Sequence, residues 1–355
     1  MSTTEERLAP DQHDTLEGIA APSENPELVG HVEAQQMLLA AQQAGRLPHA
    51  IVLAGPQGIG KATFAFAFAR HLLSGAEPSE QGLFAKVGPE SPLFRQIASG
   101  SHPSVLHLTR PVNDKTKGFK TVLSVDEIRR IGRFLSLTSG TGSYRVVIID
   151  PADDMRAAAA NALLKNLEEP PERTIFVLIA HSPGALLPTI RSRCQVIRLA
   201  PLPSTELVQV LRRADQLPDD DRACEALLER SEGSARTAII LQQYGGVEIS
   251  TALDALAKGP LDIAASHRLA DAVSGRDSAI QFDVFNGRVL ELFAQAASEA
   301  AQSGNAIRAK MLSDAWQKAR IAITETATYN LDQKQHALTM ISRLNNSLKP
   351  QGGRM

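Results

Sequence analysis

The sequence is poor in cysteine and in net charge. Its two cysteines, Cys194 and Cys224, lie far apart and form no Cys-x-x-Cys pair, which excludes a disulfide framework and a zinc ribbon. The formal net charge is only -2, so a protein that coats nucleic acid by bulk electrostatics is excluded, and any DNA contact must be local. We expect a reducing, cytoplasmic environment.

Long hydrophobic runs are also absent. No stretch reaches the ~18 apolar residues that a membrane span requires, and residues 1–27 lack the apolar centre of a signal peptide. We therefore expect a cytoplasmic protein with no membrane partner. Residues 1–27 are instead acidic and contain three prolines, which predicts a flexible or draped N-terminal arm.

The chain does have 355 residues, 43% of them hydrophobic, which is enough for two or three domains. Over residues 28–200, apolar runs of strand length alternate with helical periods, which predicts an α/β domain with a doubly wound parallel sheet. The predicted strands cover residues 50–54, 105–108, 146–149, 175–179 and 196–199. The predicted helices cover about residues 32–44, 61–74, 125–137 and 156–168.

The pattern changes after residue 200, where strand-like runs stop. Residues 201–246 predict three short helices in a small helical lid, and residues 247–348 predict an all-α domain, followed by a tail at 349–355. An apolar stripe in that domain fills either its own core, the default, or a surface between subunits. Its members are Phe282, Phe285, Val289, Leu292 and Phe293.

Residues 55–62, Gly-Pro-Gln-Gly-Ile-Gly-Lys-Ala, follow a predicted buried strand and open a predicted helix. In that context the pattern indicates a phosphate-binding P-loop, because glycines let backbone N–H groups surround phosphate oxygens and Lys61 can reach the terminal phosphates. A glycine-rich turn that binds no ligand is the alternative.

Two positions of this nucleotide site depart from what hydrolysis needs. Ala62 stands where a Ser or Thr hydroxyl would ligate Mg²⁺, and Thr63 is rotated by about 100° around the helix. Asp150 ends the central strand, but Pro151 follows it and supplies no carboxylate to activate water. We therefore expect no ATP hydrolysis by this chain.

The segment 189–194, Thr-Ile-Arg-Ser-Arg-Cys, lies between two predicted strands. A loop in that place faces outward, so an arginine on it can reach a γ-phosphate bound by an adjacent subunit. An arginine that acts in this way, called an arginine finger, accelerates hydrolysis roughly 10³- to 10⁵-fold. Arg193 is the candidate. The alternative is a surface arginine in a solvated loop.

These residues carry a family resemblance. Residues 161–171, Asn-Ala-Leu-Leu-Lys-Asn-Leu-Glu-Glu-Pro-Pro, together with residues 189–194, resemble the clamp-loader branch of the AAA+ family. Shorter matches extend the resemblance over residues 28–236, and beyond them only the helical character agrees. They lie at residues 47–50, 100–103, 125–129 and 233–236.

The resemblance implies a role for each matching position. It makes Arg193 a finger acting in trans and Arg236 the sensor-2 arginine of a degraded nucleotide site. The other residues of that site would be Gly55, Gly58, Gly60, Lys61, Ala62, Thr63 and Asp150. The cofactor would be ATP or ADP held without turnover, and whether the loop binds nucleotide stays open. Zinc is not expected, because residues 82–100 lack the cysteines that many relatives have there.

The resemblance also implies partners. The chain would be an accessory, stator subunit of a replicative DNA polymerase holoenzyme, assembled through a helical collar with motor and delta subunits. The complex would contact a sliding clamp and primer-template DNA. The alternatives are an active motor subunit of the same complex and a nucleotide-binding adaptor outside replication.

The only notable basic cluster is split between a loop and a predicted helix. It comprises Lys115, Lys117, Lys120, Arg129, Arg130 and Arg133. This cluster is suited either to a phosphate backbone or to a solvated helix face balanced by Asp126 and Glu127.

Overall fold

The computed structural model describes residues 8–79, 81–113, 118–136, 143–275 and 278–349. Contacts between Cα atoms divide the chain into two compact units. The first contains residues 1–217 and 232–236, and the second contains residues 218–231 and 237–355. The boundaries of arm, lid and collar given above remain predictions.

The first unit is built on a parallel sheet of five strands in the order β2-β3-β4-β1-β5. The strands are β1 (Ala50–Ala54), β2 (Val105–Leu108), β3 (Arg145–Ile149), β4 (Thr174–Ala180) and β5 (Gln195–Arg198). In register, Ala50 pairs with Phe176 and Arg145 pairs with Thr174. Every predicted strand is confirmed to within one residue at each end. The apolar runs of β1 and β4 are buried throughout, as suits strands in a sheet covered on both faces.

The helices of this unit cover both faces of the sheet. They are α1 (Val32–Gln43), α2 (Lys61–Ser74), α3 (Pro92–Ala98), α4 (Val125–Ser136), α5 (Ala157–Glu168), α6 (Pro188–Arg191) and α7 (Ser204–Arg213). Alternate residues of β1 belong to different hydrophobic cores: Leu53 shares one with Phe64 of α2, and Val52 shares the other with Leu163 of α5. The doubly wound α/β fold is therefore confirmed. The short helices α3 and α6 were not predicted.

The N-terminal segment from Leu8 onward is packed against this unit. Leu16 and Ala21 are buried, and the fully buried Arg70 of α2 donates to the backbone oxygens of Ser23 (3.0 Å) and Asn25 (2.6 Å). Residues 8–25 thus contact the first unit through both apolar and hydrogen-bonding groups.

The second unit is helical throughout its described part. Its helices are α8 (Asp221–Ser231), α9 (Ala235–Gln243, from Thr237 onward), α10 (Gly246–Lys258), α11 (Ile263–Val273), α12 (Ala279–Gln302), α13 (Ala306–Tyr329) and α14 (Gln333–Leu348). All five residues of the apolar stripe on α12 are buried in this unit's own core, as the default interpretation predicts. Within the described residues, no helix is long and apolar enough to cross a membrane.

Asn345 of α14 fixes the end of α10. Its side chain is fully buried, and its amide nitrogen donates to the carbonyl oxygens of Leu256 (2.7 Å) and Gly259 (2.8 Å). Helix ends leave carbonyl groups without intrahelical partners, so a buried amide that reaches two of them stabilises the packing of the two helices.

Replacing Asn345 with Ala should therefore destabilise the second unit by about 2–3 kcal/mol, because two buried carbonyls lose their donor. The single tryptophan, Trp316, lies on α13 in this unit, so its fluorescence during urea unfolding reports the effect. The neighbouring Asn346 is exposed, and Asn346→Ala is the matched control with no expected change. Equal midpoints for the two variants would contradict this role of Asn345.

Candidate functional site

The predicted P-loop, residues 55–60, connects β1 to α2, as the sequence predicts, and is called the nucleotide loop below. Three of its glycines have positive φ angles: 156° at Gly55, 79° at Gly58 and 97° at Gly60. At Gly58 a Cβ atom would lie 2.4 Å from Ser234 Oγ and 2.5 Å from Arg236 Cβ, so no larger residue fits. The loop therefore requires glycine both for its backbone conformation and for its close approach to residues 234–236.

Lys61, the first residue of α2, turns back onto its own loop. Its Nζ donates to the carbonyl oxygens of Gly55 (2.7 Å) and Pro56 (2.5 Å), and the residue is only 4% exposed. Burial lowers the pKa of Lys61 to about 8, although Asp150 and Asp153 oppose this shift. The ammonium group is thus desolvated and coordinated by backbone carbonyls.

Ala62 follows on α2 and packs against the hydrophobic core of one sheet face. Its methyl group offers no oxygen at the position where the motif needs a hydroxyl. The side chain of Thr63 is half-buried one residue further along the helix. The absence of an Mg²⁺ ligand at this position stays a prediction. The Ala62 side chain packs against the core instead.

Asp150 lies directly after β3, at the same edge of the sheet. Burial is the main cause that raises its pKa to about 7, and the negative charge of Asp14 adds to the effect while Lys61 opposes it. A carboxyl group with this pKa is partly protonated at neutral pH.

Asp153 has a role that the sequence did not indicate. One of its carboxylate oxygens accepts hydrogen bonds from the backbone N–H groups of His181 and Ser182, both at 3.0 Å. Because these residues follow β4, Asp153 ties the carboxyl end of β4 to that of β3. Asp153 and His181 are 28 residues apart, so this hydrogen bond could not be predicted from a local sequence pattern.

Arg236 and its neighbours close over the loop. The Arg236 backbone N–H donates to Gly58 O (3.2 Å), and Ser234 Oγ donates to Gln57 O (3.0 Å). The Arg236 guanidinium donates to the backbone oxygen of Asp14, in the N-terminal segment. The structure thus brings the predicted residues 55–61, Asp150 and Arg236 to one edge of the sheet, together with an N-terminal residue that sequence reasoning missed.

Arg193 has different partners. It lies between α6 and β5, where its guanidinium donates to Thr189 O (3.0 Å) and pairs with Glu168 (2.7 Å), the last residue of α5. Its side chain is 36% exposed and that of Glu168 is 49% exposed, so the pair lies at the surface and contributes little to stability. This geometry fixes the direction of the guanidinium and leaves further N–H donors unused by these two bonds.

The motif at residues 47–50 contacts the carboxyl-terminal end of α5, where Glu168 lies. His49 in it hydrogen-bonds through Nε2 to Leu167 O (3.1 Å), and its own carbonyl accepts from the backbone N–H of Phe176 (2.8 Å). His49 therefore connects the start of β1 to the end of α5, next to Glu168. Its role here is structural.

The basic cluster is partly neutralised. Arg129 pairs with Asp126 (3.0 Å) and Arg130 with Glu127 (2.6 Å) along α4, which favours the solvated-face interpretation for these two residues. Lys120 is exposed. Lys115 and Lys117 lie outside the described residues, so the cluster as a whole stays a prediction.

Part of the chain is similar to known subunits of DNA polymerase III. Residues 30–203 match the family described as DNA polymerase III, delta subunit. DNA polymerase III subunit delta′ of Pseudomonas aeruginosa is 39% identical over 214 residues, covering 59% of this chain and 61% of that protein. Subunit delta′ of Escherichia coli is 35% identical over 208 residues, covering 59% of this chain and 58% of that protein. The chain spans about six tenths of the length of these relatives.

A further relative, DNA polymerase III subunit tau of Bacillus subtilis, is 28% identical over 232 residues, which cover 64% of this chain and 39% of that protein. The five-stranded parallel sheet and the glycine-containing loop between β1 and α2 define an α/β fold of the P-loop type, followed by helices in the rest of the described chain. The particular protein that this chain resembles is the delta-prime subunit of the bacterial DNA polymerase III clamp loader, and the resemblance predicted from its motifs is confirmed.

The raised pKa of Asp150 predicts how stability depends on pH. Between its ordinary value of 3.8 and about 7, the folded chain binds more protons at this carboxyl than the unfolded chain does. The free energy of unfolding therefore falls as the pH rises through this window. Asp150→Asn removes the titrating group. It should make the decrease in the free energy of unfolding between pH 5 and pH 7 smaller by more than about 1 kcal/mol.

Urea unfolding followed by circular dichroism at pH 5, 6 and 7 measures this difference. Asp126→Asn is the control, since Asp126 lies exposed on α4 in the same unit. The assignment fails if the Asp150 variant keeps the full pH dependence of the unsubstituted chain.

Proposed function

We propose that this chain is a stator subunit of a DNA polymerase III clamp loader, which lends Arg193 to the ATP site of an adjacent motor subunit and does not hydrolyse ATP itself. The proposal rests on a contrast between the chain's own nucleotide loop, which contains Lys61, and the surface segment that contains Arg193. Lys61 is buried and donates to carbonyls of its own loop, whereas Arg193 is exposed at the surface, where Thr189 and Glu168 orient it.

The electrostatics of the two sites agree with this division of roles. At the chain's own site, burial lowers the pKa of Lys61 to about 8 and raises that of Asp150 to about 7, so that the Asp150 carboxyl group is partly neutral. A hydrolytic site needs a cation ligand and a base that activates or orients the attacking water. A finger needs only a positioned, permanently charged guanidinium at a subunit surface.

The partners follow from the relatives. Motor and delta subunits would assemble with this chain through the second, helical unit, and the complex would engage a sliding clamp and primer-template DNA. The chain's own DNA contacts, if it makes any, would be local, since the net charge is only -2. The complex would act in the cytoplasm.

The similarity to a tau subunit supports a second candidate, an active motor subunit of the same complex. Two residues argue against it. Ala62 cannot supply the Mg²⁺ hydroxyl, and Pro151 cannot supply a carboxylate for the attacking water.

Reconstitution with motor subunits tests the finger. Arg193→Ala should reduce hydrolysis at the adjoining ATP site by roughly 10³-fold or more, because the transition-state charge loses its guanidinium. The ATP turnover of the whole complex should then fall by at least the fraction of total hydrolysis that this one site contributes.

Arg191→Ala is the matched control. Arg191 is an exposed arginine two positions away at the end of α6, and its removal should leave turnover unchanged. Gel filtration establishes that both variants still assemble. Unchanged turnover in an assembled Arg193→Ala complex would exclude the finger role.

A further inference from the structure

The N-terminal loop, residues 8–24, is a closed structure with joined ends. The carboxylate of Glu24 accepts hydrogen bonds from the backbone N–H groups of Leu8 (2.6 Å), Ala9 (2.9 Å) and Ala21 (2.9 Å). Three charge-assisted bonds at one carboxylate hold both ends of the loop together. A loop with adjacent ends and its own internal packing is a compact unit that can keep one shape on a protein surface.

The base of this loop is anchored in the hydrophobic core of the first unit. Arg70 is 2% exposed, donates to the carbonyls of Ser23 and Asn25, and lies 5.1 Å from the centre of the Phe94 ring. Leu16, within the loop, is 7% exposed. Apolar burial and a buried arginine therefore hold the loop against the first unit.

The tip of the loop lies at the carboxyl edge of the sheet. The carbonyl of Asp14 accepts a hydrogen bond from the Arg236 guanidinium. His13 bonds through Nδ1 to the hydroxyl of Thr109 (3.3 Å), one residue after β2, and its ring packs edge-on against Phe119 at 6.5 Å. The tip thus spans from the end of β2 to the arginine that closes over the nucleotide loop.

The side chain of Asp14 adds a negative charge at this edge. Its charge is the largest electrostatic influence on the buried carboxyl of Asp150, after the effect of burial itself. A nucleotide phosphate brought to the same edge would be repelled by the Asp14 carboxylate and would compete with the Asp14 carbonyl for Arg236.

We propose that the N-terminal loop is a built-in competitor of nucleotide: its tip takes the place of a nucleotide's phosphates at Arg236, so that nucleotide binds only when the tip moves away. The proposal does not depend on the finger role of Arg193, because it concerns only the chain's own nucleotide site. It also gives the acidic N-terminal segment a role.

A truncation that removes residues 1–18 tests the competition. It takes away the tip but keeps the carbonyls of Ser23 and Asn25 on which Arg70 depends. Isothermal titration with ADP, with and without Mg²⁺, should show at least about tenfold tighter binding than for the full chain. That change is expected if the loop leaves the site open for less than a tenth of the time.

A truncation of residues 1–7 is the matched control, since the loop stays complete, and its affinity should equal that of the full chain. A synthetic peptide of residues 8–24, added to the shorter chain, should weaken ADP binding again. Equal ADP affinity for the full chain and a folded chain without residues 1–18 would overturn the proposal.

Loss of Leu16 from the core can prevent the truncated chain from folding, so a second variant leaves the sequence length unchanged. Glu24→Ala removes the acceptor that joins the two ends of the loop and should raise ADP affinity by a smaller factor, about threefold or more. Circular dichroism establishes folding. If this folded variant binds ADP no more tightly than the full chain, the loop is not a competitor.

Discussion

Parallel pairing within the sheet is the constraint on which the rest of the first unit depends. Because β1 and β3 both pair with β4 in parallel, their carboxyl ends lie at one edge, where the nucleotide loop, Asp150 and residues 181–182 meet. Ligand sites of open α/β sheets form outside the carboxyl ends of their strands for this reason. The same pairing fixes α5 on one face of the sheet, and the end of α5 presents Glu168 to Arg193.

At that edge the chain satisfies its own charged groups. Lys61 donates to two carbonyls of its loop, Arg236 donates to Asp14 O, and Asp153 accepts two backbone N–H groups. Each bond compensates part of the free energy lost when a polar group is removed from water. A nucleotide that entered would have to replace some of these bonds, and this exchange would lower its affinity.

The sequence was sufficient to predict the five strands and the longer helices of the first unit, and the position of the loop between β1 and α2. The β1 run of apolar residues, the glycines at 55, 58 and 60 and the prolines after α5 are local signals, and local signals set strands, turns and helix ends. The stripe on α12 was likewise assigned correctly to the core.

Other features could not be predicted, because they join distant parts of the chain. Asp14 and Arg236 are 222 residues apart, and no local pattern links a carbonyl oxygen to a guanidinium at that separation. The contacts of Asp153 with residues 181–182 and of Glu168 with Arg193 have the same character. Helix α3 was missed because seven residues are too few for helical periodicity to be distinct.

The most direct test of the account is ATP turnover by the purified chain in the presence of Mg²⁺. We predict no turnover above that of a Lys61→Ala variant, because the site lacks the Mg²⁺ hydroxyl at Ala62 and a carboxylate at Pro151. Turnover that depends on Mg²⁺ and disappears with Lys61→Ala would contradict the account and identify the chain as a motor subunit.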